Sequence, residues 1–136
     1  MDYTIDAKNR PLGRVATEVA GILQGKKSPA YNPRKIGSDR ALLENYKEII
    51  LTGKKFKEKL YHRHTGYMGH LKTETFEQAW NKDPKKVIRE TVLHMLPKNF
   101  IKSRRILNLV FVDTLDKPSV NPEQSRRTDP PEGGEK

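Results

Sequence analysis

No cysteine occurs in the chain, so disulfides, thiolate metal sites and cysteine nucleophiles are all excluded. Long apolar runs are missing too. None approaches the roughly 18 residues of a membrane span, and the opening "MDYTIDAKNRPLG" lacks the apolar centre of a signal peptide. Apolar residues make up 34% and aromatics 7% of 136 residues, which fits a single domain with one modest core. These absences lead to the expectation of a soluble intracellular protein.

What is abundant is positive charge. Lys and Arg number 27 against 17 Asp and Glu, leaving a formal net charge of +10. Such an excess repels itself in the folded state, and a polyanion relieves that repulsion. Nucleic acid is the commonest polyanion, with an anionic membrane surface as the alternative.

Hydrophobic patterning suggests an α/β domain. "YTIDA", Tyr3 to Ala7, reads as a short strand. In "GRVATEVAGILQG", Val15, Val19 and Leu23 recur every four residues, which predicts a helix with one buried face ending at Gly25. "KKSPAYNPRKIGSDR" has prolines and no periodicity and reads as a basic loop. A strand is expected at Glu48 to Thr52, with a weaker apolar segment at Ala41 to Leu43. Lys54 to His64 looks extended but too polar for a core strand.

Further along, Thr75 and Gln78 form a capping-box pattern for a short helix. Asp83 followed by Pro84 marks the start of a longer one. That helix should turn Val87, Ile88, Val92, Met95 and Leu96 inward and end at Pro97. A helical turn around Ile101 to Ile106 and a strand at "NLVFVD" complete the domain, expected over residues 1–115. Residues 116–136 are rich in proline and charge, a tail without its own core. Strands alternating with helices point to a largely parallel sheet.

Three chemistries are suggested by local motifs. "GILQGKKS" resembles a phosphate-binding loop, but only three residues separate Gly21 from Gly25 where four are needed. Lys27 also occupies the Ser/Thr position, and the motif ends a helix where phosphate cradling needs a helix start. The cluster His62, His64 and His70 is the second case. In an extended chain His62 and His64 share a face and could take a metal with His70. Arg63 between them repels a cation, however, and no Asp or Glu lies between Lys59 and Lys72 to orient the rings. Acid–base catalysis at the same cluster would need a carboxylate brought from elsewhere, such as Asp6, Asp39 or Glu48. The alternative to both is a set of solvated surface histidines.

The third chemistry is electrostatic. Lys54, Lys55, Lys57, Lys59, Arg63 and Lys72 surround the histidines. Lys26, Lys27, Arg34, Lys35 and Arg40 form a second basic stretch, and Lys98, Lys102, Arg104 and Arg105 a third. Tyr31, Tyr61 and Tyr67 are interleaved with them. Phosphate pairing by cations plus stacking by exposed aromatics is the equipment of an RNA binder, and single-stranded DNA would use the same set. An enzyme, a metal-binding module and a binder of some other nucleic acid remain as rivals on the residues alone.

"PLGRVATEVAGILQGKK", "YNP", "LTGKK", "HTGYMGHLK" and "MLPKN" occur in that order and spacing. Together they resemble the family of large-subunit ribosomal protein thirteen, in its short bacterial form, from about Tyr3 to Val112. The chain departs from the family pattern at His70, where a second glycine is usual. The resemblance implies a three-layer α/β/α domain around a small, mostly parallel sheet, with basic loop extensions, and no enzymatic activity, cofactor or metal. The implied partners are large-subunit rRNA and neighbouring ribosomal proteins in the cytoplasm, with a role in early subunit assembly. Carried over by motif, the RNA-contacting candidates are Arg14, Lys26, Lys27, Tyr31, Arg34, Lys54, Lys55, His64, Thr65, Gly66, Tyr67, Lys72 and Lys98. The basic stretches add Lys35, Lys57, Arg104 and Arg105.

Overall fold

The computed structural model describes residues 1–29 and 31–113. In chain order the elements are β1 (Asp2–Asp6), α1 (Leu12–Leu23), β2 (Arg40–Glu44), a 3-10 turn (Tyr46–Glu48), α2 (Lys55–Glu58), β3 (Leu60–His64) and β4 (Leu71–Thr75). They continue with α3 (Phe76–Lys82), α4 (Pro84–Met95), α5 (Lys102–Arg105), a second 3-10 turn (Ile106–Asn108) and β5 (Leu109–Val112).

Three strands form a parallel sheet in the order β1-β2-β5, and β3 and β4 form a separate antiparallel hairpin. Because strand side chains alternate, the register decides which residues share a face. Tyr3, Ala41 and Leu109 lie side by side, as do Ile5, Leu43 and Phe111. Both rows join the hydrophobic core. Helix α1 closes over them with Leu12, Val15, Ala16, Val19, Ala20, Ile22 and Leu23, all buried. Helix α4 packs beside α1 through Val87, Ile88 and Val92, and Arg89 reaches over the Phe111 ring at 5.7 Å. Both long helices therefore cover the same face of an α/β domain. The intervening row of Thr4, Leu42 and Val110 points the other way and lies outside the core cluster.

The locally encoded helix boundaries form as expected. The Thr75 side chain accepts from Gln78 N–H while the Gln78 side chain accepts from Thr75 N–H, a complete capping box. Asp83 accepts from Lys86 N–H at the start of α4. At the end of α1, Gly25 N–H reaches Ile22 O and Lys26 N–H reaches Gly21 O, the paired bonds that close a helix before a turn.

Three expectations need correction. The strand over Glu48 to Thr52 does not form, and Ala41–Leu43 supplies the central strand instead. Asn45 takes a left-handed conformation (φ 52°) and turns the chain out of β2. Ile49 and Leu51 do pack on the core, which explains the apolar run. Yet Ile50 pairs only with Arg10 and Leu12 flanking Pro11, too little for a ladder. Second, Lys54 to His64 is not continuously extended, because Lys55–Glu58 makes one helical turn and places Phe56 5.8 Å from the Phe76 ring. Third, Met95 lies off the apolar stripe of α4 and is 40% exposed, while Leu96 just beyond the helix is buried. The expected tail, 116–136, lies outside the described residues.

Candidate nucleic-acid interface

The basic stretch that begins at Lys26 leaves α1 as a loop. Lys26 and Lys27 are exposed directly after the helix cap, and the Lys27 ammonium lies 5.2 Å from the Tyr3 ring. Tyr31, Arg34 and Lys35 are exposed farther along. Asn32 Oδ1 accepts from Arg34 N–H at 3.0 Å, a local turn that sets the loop's direction.

Arg14, in the first turn of α1, and Lys55, in α2, are far apart in sequence but meet in space. Both line a shallow groove of about 330 Å³ with Pro11 and Thr52. Lys54 and Lys57 are exposed beside it. Short elements position these cations, and none of the three lysines shows an ion pair among the described residues.

The hairpin carries the histidines. His62 and His64 do share a face of β3, as alternation requires, and both are exposed. His64 accepts from Gly66 N–H through Nδ1 at 3.0 Å, and His70 N–H donates to Tyr67 O at 3.2 Å. Gly66 (φ 96°) and Gly69 (φ 73°) take backbone conformations that side chains resist, so the tip turns tightly. The result is a projecting Tyr67, 75% exposed, next to Met68, 97% exposed. Thr65 and Gly66 lie exposed at the same tip. Among the described residues no group of three His, Asp or Glu side chains could hold a metal.

On its other face the hairpin presents Tyr61, Arg63, Lys72 and Glu74 to a groove of about 930 Å³ closed by Lys82, Asp83, Lys86 and Glu90. Arg63 and Lys72 stand directly opposite each other. Like charges in that position weaken a two-stranded ribbon, and an anion between them removes the penalty. Lys82 and Lys86 belong to no motif and to none of the three basic stretches, so sequence reasoning missed them. Only the hairpin's approach brings them to Lys72.

In the third stretch Lys98 and Arg104 are exposed, but Arg105 is not. Its side chain is buried and its guanidinium donates to the carbonyls of Pro33 and Lys35. Arg105 is therefore removed from the expected contact residues: the burial that hides it from solvent hides it from phosphate.

A separate polar cluster joins α4 to the end of β5. Asp113 accepts from both Tyr46 Oη and Lys85 Nζ. Those bonds hold its carboxyl below the ordinary range. The same Asp113 bond pushes Lys85 up, while burial and then Asp113 push Tyr46 up.

Residues 1–117 match the family model described as ribosomal protein L13. The chain belongs to the ribosomal protein L13 family. Relatives named large ribosomal subunit protein uL13 include that of Clostridioides difficile, 42% identical over 107 residues, covering 79% of this chain and 75% of the relative. The Natranaerobius thermophilus protein is 40% identical over 131 residues, covering 96% and 89%. The Stenotrophomonas maltophilia protein is 46% identical over 96 residues, covering 71% and 68%. L13 proteins are structural ribosomal proteins and not enzymes, so the histidine tip of this L13 chain is not a catalytic centre.

Proposed function

We propose that this L13-family chain is a structural constituent of the large ribosomal subunit that binds large-subunit rRNA and supports early subunit assembly. Lysine and arginine in the loops neutralise phosphates, and Tyr67 at the hairpin tip supplies a stacking surface. The contact set comprises Arg14, Lys26, Lys27, Tyr31, Arg34, Lys35, Lys54, Lys55, Lys57, His64, Thr65, Gly66, Tyr67, Lys72, Lys98 and Arg104. Neighbouring large-subunit proteins complete its surroundings, in a cytoplasmic ribosome of the bacterial type.

The observation that carries this reading is the facing pair Arg63 and Lys72, set within a hairpin that also exposes His62, His64, Tyr67 and His70. Free protein gains nothing from that arrangement, whereas a phosphate backbone does. The test is binding of the full chain to a large-subunit rRNA transcript between about 50 and 200 mM salt. The logarithm of affinity should fall linearly with the logarithm of salt, by roughly 0.7–0.9 per phosphate neutralised. An affinity flat across that range overturns the proposal.

A further inference from the structure

Arg105 is a basic residue placed where basic residues are costly. Its side chain is 1% exposed, and Nη2 donates to Pro33 O at 3.2 Å and to Lys35 O at 2.9 Å. Three residues later, Asn108 Nδ2 donates to Gly37 O at 3.1 Å. These bonds grip every second carbonyl of one loop. Between the grips, the Arg34 and Lys35 side chains remain exposed.

As a stability device Arg105 is poor. None of the ion pairs among the described residues reaches it, and its Nε has no hydrogen-bond partner among them. Burying a charge with incomplete hydrogen bonding is unfavourable, and an apolar residue of similar volume is often no worse or better. What Arg105 does supply is geometry. The loop's own support is slight: Asn32 accepts from Arg34 N–H with its side chain and from Lys35 N–H with its carbonyl.

We propose that Arg105, with Asn108, is a positioning clamp that preorganises the Pro33–Gly37 loop so that Arg34 and Lys35 meet RNA phosphates without first being ordered. This rests on the RNA-binding reading above. A segment competent only part of the time binds more weakly in proportion to that fraction. The clamp raises the fraction without touching the RNA.

Arg105→Met in the full chain separates this role from a structural one. Thermal unfolding should stay at the wild-type midpoint or rise. Tryptic cleavage at the Arg34–Lys35 and Lys35–Ile36 bonds, followed by mass spectrometry, should accelerate several-fold. Affinity for the rRNA transcript should fall about five- to tenfold, as expected if the competent fraction drops to a tenth or a fifth. The salt slope should not change, because no phosphate contact is lost. A slope reduced by roughly 0.7–0.9 would instead make Arg105 a direct phosphate ligand and overturn the proposal. Unchanged cleavage and affinity would overturn it as well. Should Arg105→Met fail to fold, Asn108→Ala releases Gly37 alone. It must show faster cleavage of the same loop, or the clamp does not exist. If wild-type protein binds the transcript without salt dependence, the rRNA reading fails, while the cleavage comparison still decides whether the loop is clamped.

Discussion

Strands β2 and β3 are both five residues long, yet they solve opposite problems. In β2, Ala41 and Leu43 are fully buried between two neighbouring strands and under two helices. In β3 no residue is buried, and its one partner is a strand that is equally open. The sheet region is held by apolar area removed from water, whereas the hairpin is held at its base alone. There Phe76 stacks on Trp80 at 5.5 Å, lies 6.2 Å from Tyr61, and its N–H donates to Lys59 O. Apolar burial and exposed positive charge thus occupy different parts of the chain, which lets the basic surface vary in charge without unsettling the core.

The largest expected effect tests the joint between those regions. Phe76→Ala removes a fully buried ring and should cost about 3–5 kcal/mol in denaturant unfolding. Because that ring serves both regions, RNA affinity should fall too. A stability loss with binding intact would show that the hairpin holds its shape without its base.

Next in size is a change confined to the basic side. Lys54→Ala with Lys55→Ala should lower the salt slope of RNA binding by about 1.4–1.8, with unfolding shifted by less than about 0.5 kcal/mol. A marked drop in melting temperature with unaltered binding would reverse the assignment of that segment.

Thr75→Ala should cost about 1 kcal/mol, the usual worth of an N-cap, and it acts where β4 passes into α3. Amide exchange should quicken in α3 first. If α1 and the sheet loosened equally, the two regions would be one cooperative unit.

The smallest effect is a pH dependence within the body of the fold. Asp113 has its carboxyl held below the ordinary 3.8 by bonds from Lys85 and Tyr46. A depressed carboxylate stabilises the folded state above its unfolded pKa and loses that contribution as pH falls through its folded value. The stability difference between wild type and Asp113→Asn should therefore be present at neutral pH and close as pH drops below 3.8. A difference that persists at lower pH would mean the carboxylate charge contributes nothing there.

Features written in neighbouring residues were legible in the sequence. The Thr75–Gln78 box and the Asp83–Pro84 start each depend on hydrogen bonds spanning a few positions, so residue order shows them. Membership of the sheet is different. The apolar run Ile49–Leu51 matches that of a buried strand, but a ladder needs a partner, and β1 and β5 pair with Arg40–Glu44 instead. Among the candidate contact residues, the family motifs pointed to the lysines and the hairpin tip that the fold leaves exposed. Arg105 misled because its charge says surface, while its burial comes from contact with a loop some seventy positions earlier. Lys82 and Lys86 escaped notice for the complementary reason, since only the folded hairpin turns a helix flank into one wall of a groove.

The strand order β1-β2-β5 also has a consequence for the order in which the molecule forms. Leu60 to Lys82, which makes the hairpin and its helix, closes almost entirely through local contacts. The parallel sheet cannot be completed until Leu109–Val112 arrives beside β2, across everything between. Low sequence separation favours early formation, and distant parallel pairing is slow. Pulse-labelled amide exchange during refolding should therefore show β3 and β4 protected ahead of β2. Under the RNA-binding proposal, a hairpin formed in that order meets RNA while the last strand is still being made.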